Sequence, residues 1–93
     1  MTTLKAEKRD LNVKAKKLRR EGLVTASIFG KNIEGALPIQ MSAHDVEIAF
    51  RTIKVGSEVE IDVDGDVKKV RVKEIQKNHL KGLYLEIDFQ EIA

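Results

Sequence analysis

Apolar and polar residues alternate most regularly between Glu58 and Val63, where Val59, Ile61 and Val63 are interleaved with Glu58, Glu60 and Asp62. A period of two puts the apolar set on one face of a strand. Asp64-Gly65 follows at once, a pair suited to the two left-handed positions of a tight hairpin turn, and the chain returns through Val72 to Ile75 and on toward Lys77. In that register Glu60 faces Lys69, Glu58 faces Arg71 and Val59 faces Val70, so opposite charges meet on one face and valines on the other. Beyond a loop around Lys81-Gly82, the spacing of Leu83, Leu85, Ile87 and Phe89 predicts a last strand with those four side chains inward. Upstream, Val24 to Phe29 and Leu37 to Met41 predict two more strands around a polar loop, Lys31 to Gly35, with Pro38 suited to an edge or to opening residues. Thr3 to Arg9 alternates weakly and predicts an edge strand.

Two stretches follow the helical period instead. From Asp10 to Glu21, Leu11, Ala15 and Leu18 recur at i, i+4 and i+7, with Asp10 as the expected N-cap and Gly22 as the stop. Ser42 opens a second helix, with Asp45 three residues on as in a capping box, Val46, Ala49, Phe50 and Ile53 as its buried stripe, and Lys54-Val55-Gly56 at its end. Six strands with hairpin spacing and two helices, with too little core for a two-sheet sandwich, predict a mainly β (α+β) fold: a small, partly closed six-stranded β-barrel with two helices packed against it.

Length makes this a thin-cored molecule. A 93-residue chain fits a single domain, residues 1–93, that removes only about 60–65% of its unfolded surface from water. The longest apolar runs fall far short of the ~20 residues that span a bilayer, and Met1-Thr2-Thr3-Leu4-Lys5 leads into no signal-peptide core, so a cytoplasmic protein without a membrane partner is expected. With no cysteine there is no disulfide framework, thiolate zinc site or cysteine nucleophile.

Charge changes the picture more. The net charge of +2 hides a concentration of cations between Lys5 and Arg20, where eight basic residues stand against Glu7 and Asp10, while the rest of the chain sums to −4. On the first helix Lys16, Lys17, Arg19 and Arg20 fall opposite the apolar stripe, with Lys14 just before them. Such a run is often only a solvated helix face, but acids are nearly absent here, so i,i+4 pairing does not explain it, and it could contact several phosphates. An RNA-bound helix would need the shallow groove or an irregular, widened region, because the deep groove of A-form duplex is too narrow. Phe29, Phe50, Tyr84 and Phe89 are the aromatic residues, too few for a single-strand stacking platform.

Other chemistry lacks the residue spacing it needs. His44 and His79 lack partners at metal-ligand spacing. Asp62-Val63-Asp64-Gly65-Asp66 has its glycine too early for a calcium loop and Lys73 in place of the closing glutamate, so it reads as a turn. Gly30 and Gly35 bracket four residues without the lysine and serine or threonine that a phosphate loop places after its second glycine, and no nucleophile, base and oxyanion set surrounds Ser27, Ser42 or Ser57. A non-enzyme without cofactor, metal or small-molecule substrate is expected.

Lys16-Lys17-Leu18-Arg19-Arg20-Glu21-Gly22, followed by Ala26-Ser27-Ile28-Phe29-Gly30, resembles the N-terminal signature of the bacterial ribosomal protein L-twenty-five (Ctc, general stress) family. Val72-Lys73-Glu74-Ile75-Gln76-Lys77 and Ile87-Asp88-Phe89 resemble its C-terminal signature, so the likeness spans almost the whole chain in order. The resemblance implies a six-stranded barrel similar to the anticodon-binding barrels of glutaminyl-tRNA synthetase, in the family's short, single-domain form. It implies binding of the irregular internal-loop region of 5S rRNA in the large ribosomal subunit, in the cytoplasm, by a protein that is a monomer away from the ribosome. Carried over by position, the RNA-facing residues are Arg9, Lys16, Lys17, Arg19, Phe29, Lys73, Gln76 and Asp88; charge and phasing add Lys14, Arg20 and Lys77.

The chain departs from the family pattern at Thr25, where proline is usual, at Phe29 for tyrosine, at Leu11 and Val13 for glycines, and at Glu86 for histidine. A carboxylate near phosphate is repulsive, and a phenylalanine lacks the tyrosine hydroxyl. The competing reading is therefore a stress-related module that keeps the fold and binds a protein instead.

Overall fold

The alternating segments pair into a closed barrel in a computed structural model that describes residues 3–9, 12–30, 36–78, 80 and 82–92. The strands are β1 (Thr3–Lys8), β2 (Leu23–Phe29), β3 (Ala36–Ser42), β4 (Glu58–Val63), β5 (Asp66–Asn78) and β6 (Leu83–Glu91); the helices are α1 (Ala15–Arg20) and α2 (Ala43–Ala49). Around the barrel the order is β1-β3-β2-β6-β5-β4, with β4 returning to β1. β1, β3 and β2 form one antiparallel trio and β6, β5 and β4 another. Two parallel pairings, β2 with β6 and β1 with β4, join the trios.

The β4–β5 hairpin has the register expected from its alternation, with Glu58 opposite Arg71, Val59 opposite Val70 and Glu60 opposite Lys69. Its turn takes positive φ at both central residues, 50° at Asp64 and 94° at Gly65, the twist that suits a two-residue hairpin. The Asp62 carboxylate accepts from the Gly65 N–H at 2.8 Å, which gives Asp62 a turn-forming role.

The barrel interior is apolar. Val24, Ala26 and Ile28 of β2, Ile39 and Met41 of β3, Val59, Ile61 and Val63 of β4, Val70 and Val72 of β5, and Ile87 and Phe89 of β6 are all buried there. α2 contributes to the same cluster: the Ser42 hydroxyl accepts from the Asp45 N–H at its N-cap, and Val46, Phe50 and Ile53 are buried. The helix ends at Ala49, earlier than the apolar spacing implied, and Phe50 to Ile53 continue as turns bonded back to Val46, Ile48 and Ala49.

Three expectations fail for physical reasons. β1 is no edge strand: it pairs in parallel with β4 and antiparallel with β3, burying Leu4 and Ala6, and this closes the barrel fully. α1 is six residues long, with extended Lys14 as its N-cap and no side-chain cap, because Asn12 and Val13 lie in a turn and a bend; Asp10 and Leu11 lie outside the described residues. On β6 the alternation breaks. Gln76 pairs with Glu86 but Lys77 pairs with Tyr84, so Leu85 is an extra residue that inverts the parity before it. Leu83 is consequently 54% exposed, and Tyr84 packs on the core with its ring edge-on to Phe50 at 5.8 Å.

Phe89→Ala removes a fully buried ring from the barrel centre and is expected to cost about 3–5 kcal/mol in urea unfolding, whereas Leu80→Ala, at a residue 99% exposed, should stay within about 0.5 kcal/mol of the parent.

Candidate nucleic-acid interface

The parallel register of β2 and β6 organises the outer face of the barrel. With Val24, Ala26 and Ile28 inward, Thr25, Ser27 and Phe29 occupy the other side of β2. On β6 the same parity assigns Ile87 and Phe89 to the core and Glu86, Asp88 and Gln90 to the outer face. Thr25 pairs with Glu86, Ser27 with Asp88 and Phe29 with Gln90. β5 extends each row, with Gln76 beside Glu86, Glu74 beside Asp88 and Arg71 beside Gln90.

A bulge adds Lys73 to this surface. Val72 pairs with Phe89 and Glu74 with Asp88, leaving Lys73 as the extra residue on β5. Bulges re-aim side chains, and here the ammonium lies 5.0 Å from the centroid of the half-buried Phe29 ring on β2. This is cation–π distance. The Gln90 amide, between them, donates to the Phe29 carbonyl at 3.0 Å, tying the end of β2 to β6.

α1 borders the other end of the face. A helix of six residues is unstable alone, and this one is held by Leu18, 4% exposed, and by its packing against β2. Gly22, at φ 84°, lets the chain turn from the helix straight into β2, as its position in the sequence implied. Arg19 is half-buried and donates to the Leu85 carbonyl at 3.3 Å, so it anchors the helix to β6 and does not share the solvated side with its neighbours. Lys14, Lys16, Lys17 and Arg20 are exposed, and among the described residues none of them forms an ion pair, unlike Lys68 and Arg71 on β5.

The structure thus brings Phe29, Lys73, Gln76 and Asp88 onto one barrel face, with Lys14, Lys16, Lys17, Arg19 and Arg20 along its margin. Arg9 approaches from the opposite side: its N–H donates to the Pro38 carbonyl at 3.2 Å, and Pro38 pairs with Ser27. Its buried Nε has no hydrogen-bond partner among the described residues. Lys77 departs from the group. One residue past Gln76, it has the opposite parity and sits 5.1 Å from the Tyr84 ring centroid.

Two residues that the sequence treated only as departures prove to be neighbours. Thr25, fully buried, donates its hydroxyl to the Leu85 carbonyl at 3.2 Å and lies 3.4 Å from Glu86 Oε2. The Ser27 hydroxyl donates to Glu86 Oε1 at 3.3 Å. Ser27 was missed because nothing in its local sequence reveals a partner 59 residues away.

Across the barrel, β1, β3 and β4 line a shallow groove with Glu7, Asp45, Asp62 and Asp64 against Lys5, a surface of opposite sign to α1. His44 is exposed in the first turn of α2, and His79 lies outside the described residues. Among the described residues no helix is long and apolar enough to cross a membrane.

Residues 4–89 match the model of the Ribosomal L25p family. The chain belongs to this family. Its relatives in the Ribosomal L25p family include the large ribosomal subunit protein bL25 of Caldicellulosiruptor bescii, 31% identical over 88 residues that cover 92% of this chain and 44% of the relative. The bL25 protein of Geobacillus thermodenitrificans is 34% identical over 77 residues, 83% of this chain and 36% of that protein. That of Bacillus pumilus is 33% identical over 94 aligned positions, 99% of this chain and 45% of its own length. The chain therefore spans less than half the length of these Ribosomal L25p relatives.

Arg19→Met keeps an apolar stem but removes the bond to Leu85. Amide exchange at Leu18 to Gly22 should then accelerate roughly tenfold, a loss near the 1.5 kcal/mol of a charged hydrogen bond, with barrel amides unchanged.

Proposed function

We propose that residues 1–93 act as a single 5S rRNA-binding barrel of the large ribosomal subunit, a cytoplasmic, non-enzymatic component that is a monomer away from the ribosome. The observation that carries this reading is the junction of α1, whose exposed cations form no ion pair among the described residues, with the β2–β6–β5 face. Membership of the Ribosomal L25p family and the bL25 relatives support the ribosomal part of it.

The two parts do different work. Lys14, Lys16, Lys17 and Arg20 supply phosphate contacts, and releasing counterions at four such contacts weakens binding roughly 100-fold between 50 and 200 mM salt. The barrel face carries acceptors and an aromatic ring, which suit base edges and sugar in a shallow groove and give no net attraction to phosphate. An irregular internal loop, with its widened groove, presents both together.

The test is a salt-dependent titration against a 5S rRNA internal-loop fragment with a regular duplex of equal length as competitor. Loop-selective binding with a steep salt slope is expected, and Lys17→Glu should reduce that slope by about one unit while weakening binding to all sequences alike. Equal, weak binding to both RNAs would overturn the proposal.

A further inference from the structure

Glu86 carries a feature that phosphate binding does not explain. Its carboxylate is half-buried on the outer face and forms no ion pair among the described residues, although a cationic helix lies alongside. Both oxygens are oriented from below. Ser27 commits its only hydroxyl proton to Oε1 at 3.3 Å, and the Thr25 hydroxyl, 3.4 Å from Oε2, divides its proton between that oxygen and the Leu85 carbonyl. An ionised carboxylate has about four acceptor sites. The two hydroxyls leave sites open toward solvent, beside Asp88, which follows two residues later at roughly 7 Å along the strand.

A fixed carboxylate repels phosphate and accepts only from N–H or O–H groups. In the shallow groove, where the proposed RNA contact lies, the base donor that distinguishes one regular pair from another is the guanine N2 amino group. We infer that Glu86, aligned by Thr25 and Ser27, is a specificity-determining acceptor that reads a guanine N2 amino group in the shallow groove of the bound RNA. This inference rests on the RNA-binding proposal above. Ser27 and Thr25 are positioning residues in it, since they orient the carboxylate without touching RNA. A cationic protein that selected only for phosphate would be better served by an uncharged residue at this position.

The experiment measures affinity of the intact chain for the 5S rRNA internal-loop fragment, with each guanine replaced in turn by inosine, which removes only the N2 amino group. The parent should lose roughly ten- to hundredfold at one position, the range for a hydrogen bond to a charged group. In Glu86→Ala that penalty should fall below about twofold, and in Glu86→Gln, which keeps the side-chain shape and one oxygen for a hydroxyl, it should fall most of the way; thermal unfolding verifies that each variant is folded. Loop-selective parent binding with the same inosine profile in both variants would overturn this inference alone. So would a penalty that appears on 2′-deoxy substitution in place of inosine, or variants that bind more tightly with unchanged base preference, which would make Glu86 only a repulsive charge. A parent chain without preference for the loop over duplex would overturn the RNA reading itself and the inference with it.

Discussion

The parallel pairing of β2 with β6 is the contact on which both the core and the outer face depend. It joins two antiparallel trios whose strands are far apart in sequence, and its register seats Ala26, Ile28, Ile87 and Phe89 inside while aligning Thr25 with Glu86, Ser27 with Asp88 and Phe29 with Gln90 outside. A shift of one residue would exchange the two sets, exposing a core whose members are almost wholly buried. The hydrophobic requirement inside therefore fixes the order of polar groups outside. The bonds from Gln90 to the Phe29 carbonyl and from Thr25 to the Leu85 carbonyl close the pairing at its two ends.

α1 adds what the barrel face lacks. Glu74, Glu86 and Asp88 offset Arg71 and Lys73 on the face itself, so long-range attraction has to come from the helix. The short helix stays on the barrel through Leu18 and Arg19, one apolar anchor and one charged hydrogen bond, while its remaining cations are free of acidic partners among the described residues. Arg19 is thus a structural joint, a role that helical phasing alone disguised because it sits among residues of the same charge.

Legibility followed sequence distance. The β4–β5 hairpin was readable to the residue because strict alternation, a two-residue turn and complementary charges all lie within a short stretch, and the structure keeps that register. The α2 stripe was readable for the same reason, with its cap and its buried residues local to one another. β1 was misjudged as an edge because its partners are β3 and β4, which no local pattern identifies. The inward set on β6 went wrong at Leu83 because a single extra residue, Leu85, reverses parity without leaving any signal in composition. Of the candidate interface, the cations were visible as a cluster; the cooperation of Thr25, Ser27 and Glu86 was not, since it exists only once β2 lies beside β6.

The central claim is that one continuous surface, α1 with the β2–β6–β5 face, meets RNA. Backbone amide chemical shifts of the labelled chain, followed while a 5S rRNA internal-loop fragment is titrated in, test it most directly. The account predicts shifts confined to Lys14–Arg20, Ser27–Phe29, Lys73–Gln76 and Glu86–Gln90, with Glu58–Val63 of β4 and the acidic groove between β1 and β3 unmoved. Shifts centred on β4 and that groove, or on α1 with a silent barrel face, would contradict it.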